Sequence, residues 1–347
     1  RASFEAVIRD AGIAVETNLR GFELGFQGAA RALEAPAEIA APPERAARPA
    51  RPTAGTLLER VQGAYPAAVQ DVVKEGVLRL VDYQGPRYAE RYLERLEPVV
   101  ALERTGGGEA RGWALTREAA RQLALRMSFE DIVRVADLKT RAARLERVRA
   151  EVRAEPHQPV VIREYLKPGV EEVCALLPAG LAGRVLRWAH ARGLEDRLNL
   201  GMRLKSTSIT GFTALWLLAR LRFWRPRSWR YRDEQVQIER WLEAVRRAAV
   251  LDYDLGLQVV ELAALIKGYG GTYRRGRANF ETIMSQVVQP ALAAGRPAAE
   301  RLARAREAAL ADPEGEALAR ALAEAEPEPV TKGVSTPETP APTAAAR

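Results

Sequence analysis

The sequence predicts a mainly α-helical protein, a multi-helix globular domain with at most a small β element. Three observations predict it. Apolar residues recur at three- and four-residue steps almost throughout, the spacing of one helix face. A single short stretch, residues 160–166 (VVIREYL), has strand composition, bounded by Pro159 and by Lys167-Pro168-Gly169. No repeat of fixed period runs through the chain. The 347 residues are 47% hydrophobic and 28% charged. That supplies a core and excludes a wholly disordered chain, a collagen and a disulfide scaffold.

The elements follow in order. Residues 3–33 read as two helices, FEAVIRD and AVETNLRGFELGFQGAARAL. Residues 34–55 read as a flexible Pro/Ala linker, because Pro42, Pro43, Pro49 and Pro52 deny it regular helix and it has little apolar surface to bury. A compact helical domain is expected over 56–311. Val69, Val72, Val73, Val77 and Leu80 form one helix face. Gly85-Pro86 breaks that helix, and Pro86 suits the first turn of the next, whose inner side carries Tyr88, Tyr92, Leu93 and Leu96. A glycine-rich loop, Thr105–Gly112, comes next. Thr116 reads as the N-cap of REAARQLALRM. Ser128-Phe-Glu-Asp131 has the outline of a capping box and opens a helix carrying Ile132, Val133, Ala136, Leu145 and Val148. Beyond the strand, helices fit 170–177, 181–192, 211–224, 231–250, 254–267, 276–294 and 297–311. Gly193 serves as a stop and Pro297 as a start. Residues 312–347 read as an acidic, largely disordered tail.

Charge and cysteine content narrow the chemistry. The formal charge is +8; residues 312–347 carry −4, so the rest carries +12. Only six of the 53 basic residues are lysine. An arginine excess fits either the footprint of a polyanion partner or the coding bias of a GC-rich genome. The single Cys174 allows no internal disulfide and no Cys₄ zinc or iron–sulfur site within the chain. The longest clean apolar run, Phe212–Ala219, falls far short of the roughly 20 residues of a membrane span. The chain begins Arg-Ala-Ser rather than with Met, as expected of a fragment.

There is no GxxxxGK[ST] loop, no GxGxxG after a strand and no HExxH. His157 and His190 have no acid or nucleophile at a motif spacing, and Cys174 sits among Val173, Leu176 and Leu177 as a small buried hydrophobe. No catalytic residue and no metal site is expected. Four segments mix glycine, hydroxyls and bases. In the strongest, Ile266–Phe280, the bases Lys267, Arg274, Arg275 and Arg277 accompany Gly268, Gly270, Gly271 and Thr272. Gly-rich backbone at a helix start suits a phosphate or carboxylate. The same residues equally suit a helix–glycine–helix corner whose arginines pair with Glu239, Glu243 or Glu261. Lys205, Ser206, Thr207 and Ser208 precede an apolar helix; they are expected to cap it or to complete an anion pocket. Trp224–Arg232 (WRPRSWRYR) interleaves bases with aromatics, which fits a nucleic-acid platform, a protein interface or a packed corner. Leu80–Leu93 groups tyrosines and paired charges around a turn.

Four stretches in order carry a resemblance: LVDYQGPRYAERYLERL, MSFEDIVRVADLKTRAARLERVR, YLKPGVEEVCALLP and KGYGGTYRRGRANF. This succession resembles the C-terminal helical region of the indolepyruvate oxidoreductase (indolepyruvate:ferredoxin oxidoreductase) beta-subunit family. Residues 4–28 resemble the last stretch of the family's gamma-type 2-oxoacid oxidoreductase domain, so 1–33 would be the terminal helices of a truncated α/β domain. The likeness covers roughly 4–28 and 65–293. It implies a cytoplasmic component of an enzyme that oxidatively decarboxylates aryl pyruvates such as indolepyruvate to acyl-CoA and passes electrons to ferredoxin. Thiamine diphosphate, its Mg²⁺ and the iron–sulfur clusters would belong to a partner alpha-type subunit, and CoA would be a cosubstrate. In keeping with that division, this chain lacks a GDG…N diphosphate motif and cluster cysteines. Nucleic acid and membrane are not expected partners. A helical scaffold module without a small-molecule site and a basic nucleic-acid-binding protein are the alternatives from other classes.

Overall fold

The computed structural model describes residues 2–10, 15–34, 52–155, 157–194 and 201–324. The chain divides after Arg51 into two units. In the first, α1 (Ala2–Asp10) meets α2 (Val15–Glu34), and Phe4 stacks on Phe22 with centroids 6.1 Å apart. Most of the expected linker, residues 35–51, lies outside the described residues.

The second unit is helical, as the periodicity requires. It runs α3 (Ala54–Ala64), α4 (Gln70–Gln84), α5 (Pro86–Thr105), α6 (Ala114–Met127), α7 (Ile132–Thr140), α8 (Ala142–Glu151), β1 (Arg163–Leu166), α9 (Val170–Cys174) and α10 (Ala179–Ala191). It continues with β2 (Met202–Lys205), α11 (Ile209–Arg220), α12 (Trp229–Leu251), α13 (Tyr253–Glu261), α14 (Gly270–Ile283), α15 (Gln289–Ala294), α16 (Ala299–Ala311) and α17 (Glu316–Ala323). A π-helical turn, Met284–Val288, joins α14 to α15.

The core lies where α4, α5, α6, α12 and α13 pack on one another. On α4 the expected face is buried through Val69, Val73, Val77 and Leu80, with Val72 at its edge. Buried tyrosines there need partners for their hydroxyls. Tyr88 donates to the Met127 carbonyl at 2.9 Å, Tyr92 to Ala120 at 3.1 Å and Tyr83 to Phe129 at 3.0 Å. Each of these bonds ties α4 or α5 to α6 or the loop beyond it.

The expected strand shortens to β1, which pairs antiparallel with β2, Arg163 opposite Lys205 and Leu166 opposite Met202. Its partner MRLK carries no strand signature. Three further expectations are corrected. Thr116 does not cap α6: Trp113, at a left-handed φ of 55°, starts the helix earlier. The cap comes from Glu103, whose carboxylate accepts from the N–H of Leu115 at 3.2 Å and of Thr116 at 2.8 Å. Ser128 closes α6 rather than opening α7, whose N-cap is Asp131, accepting from Arg134 N at 2.7 Å. The domain does not stop at 311: α17 lies within the expected acidic tail and buries Leu318 and Leu322. Residues 325–347 lie outside the described residues.

Candidate functional site

The segment singled out by sequence begins where α13 gives way, through a 3₁₀ turn at Leu262–Leu265, to an open corner. Gly268 (φ 72°) and Gly270 (φ 60°) take left-handed conformations that permit the reversal, and α14 starts at Gly270. At Gly276 the two arms cross so closely that a Cβ would sit 2.1 Å from the Leu265 carbonyl oxygen.

This corner and α6 enclose a cavity of about 270 Å³. Leu125, Phe129, Ala263, Ala264 and Ile266 give it apolar walls. Its charged lining is Arg79, Arg121, Arg126 and Lys267 against Glu130 and Glu234. Arg126 is the unusual member. Its side chain is only 2% exposed, and its closest carboxylate oxygen is Glu234 Oε2, 3.6 Å from Nη2. Its Nε and Nη1 are buried without a hydrogen-bond acceptor among the described residues. Burial pulls its pKa below the ordinary arginine value, and Glu234 opposes that. Glu234 is itself shared: it pairs with Arg230 at 2.9 Å and accepts from the Tyr273 hydroxyl at 2.9 Å. Two buried guanidiniums therefore divide one carboxylate. The surplus is positive and under-bonded, which is costly without an anion or water. Burial, followed by the charge of Glu234, raises the Tyr273 pKa, so its hydroxyl stays a donor. At the rim, Arg79 Nε donates to Ser128 Oγ at 2.5 Å and Arg121 pairs with Glu118. Among the described residues, no carboxylate pairs with Arg79 or Lys267.

The twelve residues expected to bind an anion do not come together in one place. Lys267 and Gly268 line the cavity just described. Gly270, Gly271 and Arg274 line a second cavity, about 350 Å³, with Lys167, Gly169, Val170, Glu171, Glu172 and Leu186. There Arg274 Nε lies 3.9 Å from Glu171, whose pKa burial raises, and Glu172 accepts from Gly169 N, so carboxylates match the cations. Arg275 pairs with Glu314 at 3.3 Å, Arg277 with Asp233, and Thr272 is exposed on the first turn of α14. The acids expected as partners are engaged elsewhere: Glu239 with Arg95, Glu243 with Arg246 and Glu261 with Arg306.

Lys205, Ser206, Thr207 and Ser208 do not complete either cavity. Lys205 ends β2, Ser206 donates to Glu164 at 3.3 Å, Thr207 Oγ1 accepts from Ile162 N at 3.1 Å, and Ser208 caps α11 through Gly211 N. In WRPRSWRYR, Arg225 is buried against Asp131, and Trp224 donates to the Leu176 carbonyl at 2.9 Å. This stretch is a packed corner. The residue that sequence reasoning missed is Arg126. Its signal was present: a cation three residues after Leu123 and seven after Ala119, on the apolar face of α6.

The arrangement can hold an oxyanion against an apolar wall. Among the described residues, no three His, Cys, Asp or Glu side chains group to hold a metal ion. Among the same residues, no helix is long and apolar enough to cross a membrane. No curated protein and no solved structure matches the chain. Residues 69–286, more than half of its length, match a family described as "Family of unknown function (DUF6537)" and include both the core helices and the Arg126 cavity. The chain belongs to that family.

Proposed function

We propose that this chain is a beta-type component of a thiamine-diphosphate-dependent 2-oxoacid:ferredoxin oxidoreductase that converts aryl pyruvates such as indolepyruvate to acyl-CoA. The cofactor chemistry is on a partner alpha-type subunit. One observation carries the reading from resemblance toward geometry. Three of the four stretches that resemble the indolepyruvate oxidoreductase beta-subunit family contribute residues to the cavities. MSFEDIVRV supplies Ser128, Phe129 and Glu130 to the first, and KGYGGTYRRGRANF supplies Lys267, Gly268 and Tyr273. YLKPGVEEVC and KGYGGTYRRGRANF meet in the same way at the second. Both the oxoacid and CoA are anions, which suits the positive surplus of the first cavity.

The carboxylate pairing of Arg274, Arg275 and Arg277 favours a second reading, a helical scaffold that docks the catalytic subunit without touching substrate. Co-expression with an alpha-type thiamine-diphosphate subunit, followed by size-exclusion chromatography, tests the common element. Co-elution in a fixed ratio with bound thiamine diphosphate is expected. Separate elution of the two chains at micromolar concentration would remove both readings.

A further inference from the structure

We infer that the Arg126 cavity is a binding site for a small organic oxyanion, a carboxylate or phosphate headgroup on an apolar body. The inference stands on the cavity itself and does not need the oxidoreductase reading.

Three features point to it. First, Arg126 is buried with Nε and Nη1 unmatched, although buried guanidinium donors are ordinarily hydrogen-bonded. Its one close carboxylate among the described residues is already shared with Arg230 and Tyr273. Second, Lys267 and Arg79 reach the same cavity without a carboxylate partner among the described residues. Several other arginines of the fold hold carboxylates: Arg225 with Asp131, Arg277 with Asp233, Arg144 with Glu164. Of the four cations facing this cavity, only Arg121 has a carboxylate, Glu118, within a short ion-pair distance among the described residues. Third, Leu125, Phe129 and Ile266 make part of the wall apolar. A bare inorganic ion would leave that wall wet, whereas a phenyl or branched alkyl group would cover it. At about 270 Å³ the cavity lies just below the roughly 300–1,000 Å³ usual for ligand pockets. That fits a small acid rather than a whole nucleotide.

An oxyanion placed here gains a charge-assisted hydrogen bond from each cation that reaches it, and such bonds are roughly twice as strong as neutral ones. The partly desolvated setting strengthens the attraction further. Bound anion also neutralises the surplus that Glu234 leaves uncovered, so ligand binding is coupled to the stability of the α6–α12–α14 junction.

The experiment uses the full chain alone, in calorimetric titrations and thermal melts with four probes: phenylacetate, phenyl phosphate, benzyl alcohol and inorganic phosphate. Saturable binding of phenylacetate or phenyl phosphate with a raised melting temperature is expected, and the stronger of the two identifies the headgroup. Benzyl alcohol should fail for want of charge. Inorganic phosphate should bind at least about tenfold more weakly than phenyl phosphate, the factor that corresponds to ~1.4 kcal/mol of lost apolar contact. The double variant Arg79→Ala/Lys267→Ala, at the cavity rim, should melt like the parent without ligand and lose about tenfold or more in affinity. Arg126→Lys keeps the charge but removes the planar donor array and should weaken binding as well. Absence of saturable binding by both organic anions up to ~10 mM, a Kd range worth under about 3 kcal/mol, would overturn the inference. Binding that the rim variant leaves unchanged, or equal binding of benzyl alcohol, would also overturn it.

Discussion

Arg225 grips Asp131 across 94 residues of sequence, Nε to Oδ2 at 2.6 Å and Nη2 to Oδ1 at 3.0 Å, while Asp131 Oδ1 also caps α7. The guanidinium also donates to the Tyr83 carbonyl at 3.2 Å and to Gln84 Oε1 at 2.6 Å, and it lies over the Tyr83 ring. One side chain therefore joins the end of α4, the start of α7 and the turn before α12. Removing one member strands the other in the interior. Arg225→Met should cost about 3–5 kcal/mol in urea unfolding. The double variant with Asp131→Asn should cost less than the sum of the singles, because no uncompensated charge remains. Additive costs would show that the two side chains do not stabilise one another.

Tyr253 gives the chain an alkaline signature. Its hydroxyl donates to Glu103 at 2.7 Å, and burial, reinforced by that bond, pushes its pKa up from 10.0 to about 12. A phenol whose pKa is raised by folding contributes stability that is present below the unfolded value. The contribution is lost as pH rises from about 10 toward 12. Ultraviolet titration should therefore show a tyrosine ionising near pH 12 that disappears in Tyr253→Phe. The variant should also flatten the fall in stability across that window. A parent titration that is complete by about pH 10.5 would contradict this placement.

At Gly276 the close approach of α14 to Leu265 has a mechanical consequence. A methyl group would meet the Leu265 carbonyl oxygen at 2.1 Å, which backbone cannot yield cheaply. Gly276→Ala should destabilise by at least about 1–3 kcal/mol despite alanine's better helix propensity. Gly271→Ala meets only the end of the flexible Arg275 side chain at 3.3 Å and should fall within about 0.5 kcal/mol of the parent. Equal melting temperatures for the two variants would mean that the crossing is looser than described.

Helix α17 shows what the sequence could and could not reveal. Leu318 and Leu322 lie four residues apart, a helix spacing, but among glutamates and alanines that read equally as a solvated tail. Their burial comes from the core offered by the rest of the fold. Asp312 aids the turn by accepting from the N–H groups of Glu314 and Ala317. A chain ending at Ala311 should be less stable than one ending at Glu324 by ~1.5–3 kcal/mol for each buried leucine lost. Identical unfolding curves would return 312–324 to the tail.

The same contrast runs through the fold and the site. The faces of α4 and α5 were legible because burial repeats regularly along one element. The glycine corner at 268–270 was legible because only glycine adopts those angles easily. Glu103 as the cap of α6, and Asp131 as the clasp for Arg225, are tertiary events between residues far apart in sequence, which periodicity does not register. The arginines of 274–277 read as a cluster in sequence, but successive helix positions project them to different neighbours: Glu171, Glu314 and Asp233. The cations that do gather, Arg79, Arg126 and Lys267, come from three separate elements. Of these, Lys267 was singled out beside its glycines; Arg126 left a local signal, a cation on an otherwise apolar helix face, and Arg79 left none.

The most direct test of the proposed function is ferredoxin reduction by indolepyruvate in the presence of CoA, measured on the alpha-type subunit with and without this chain. The parallel assay replaces the chain with Arg79→Ala/Lys267→Ala. The expected result is CoA-dependent ferredoxin reduction that requires the chain. In the rim variant, assembly should be unaltered and the apparent affinity for oxoacid or CoA reduced about tenfold. A reduction rate that the alpha-type subunit sustains equally without this chain would contradict the proposed function.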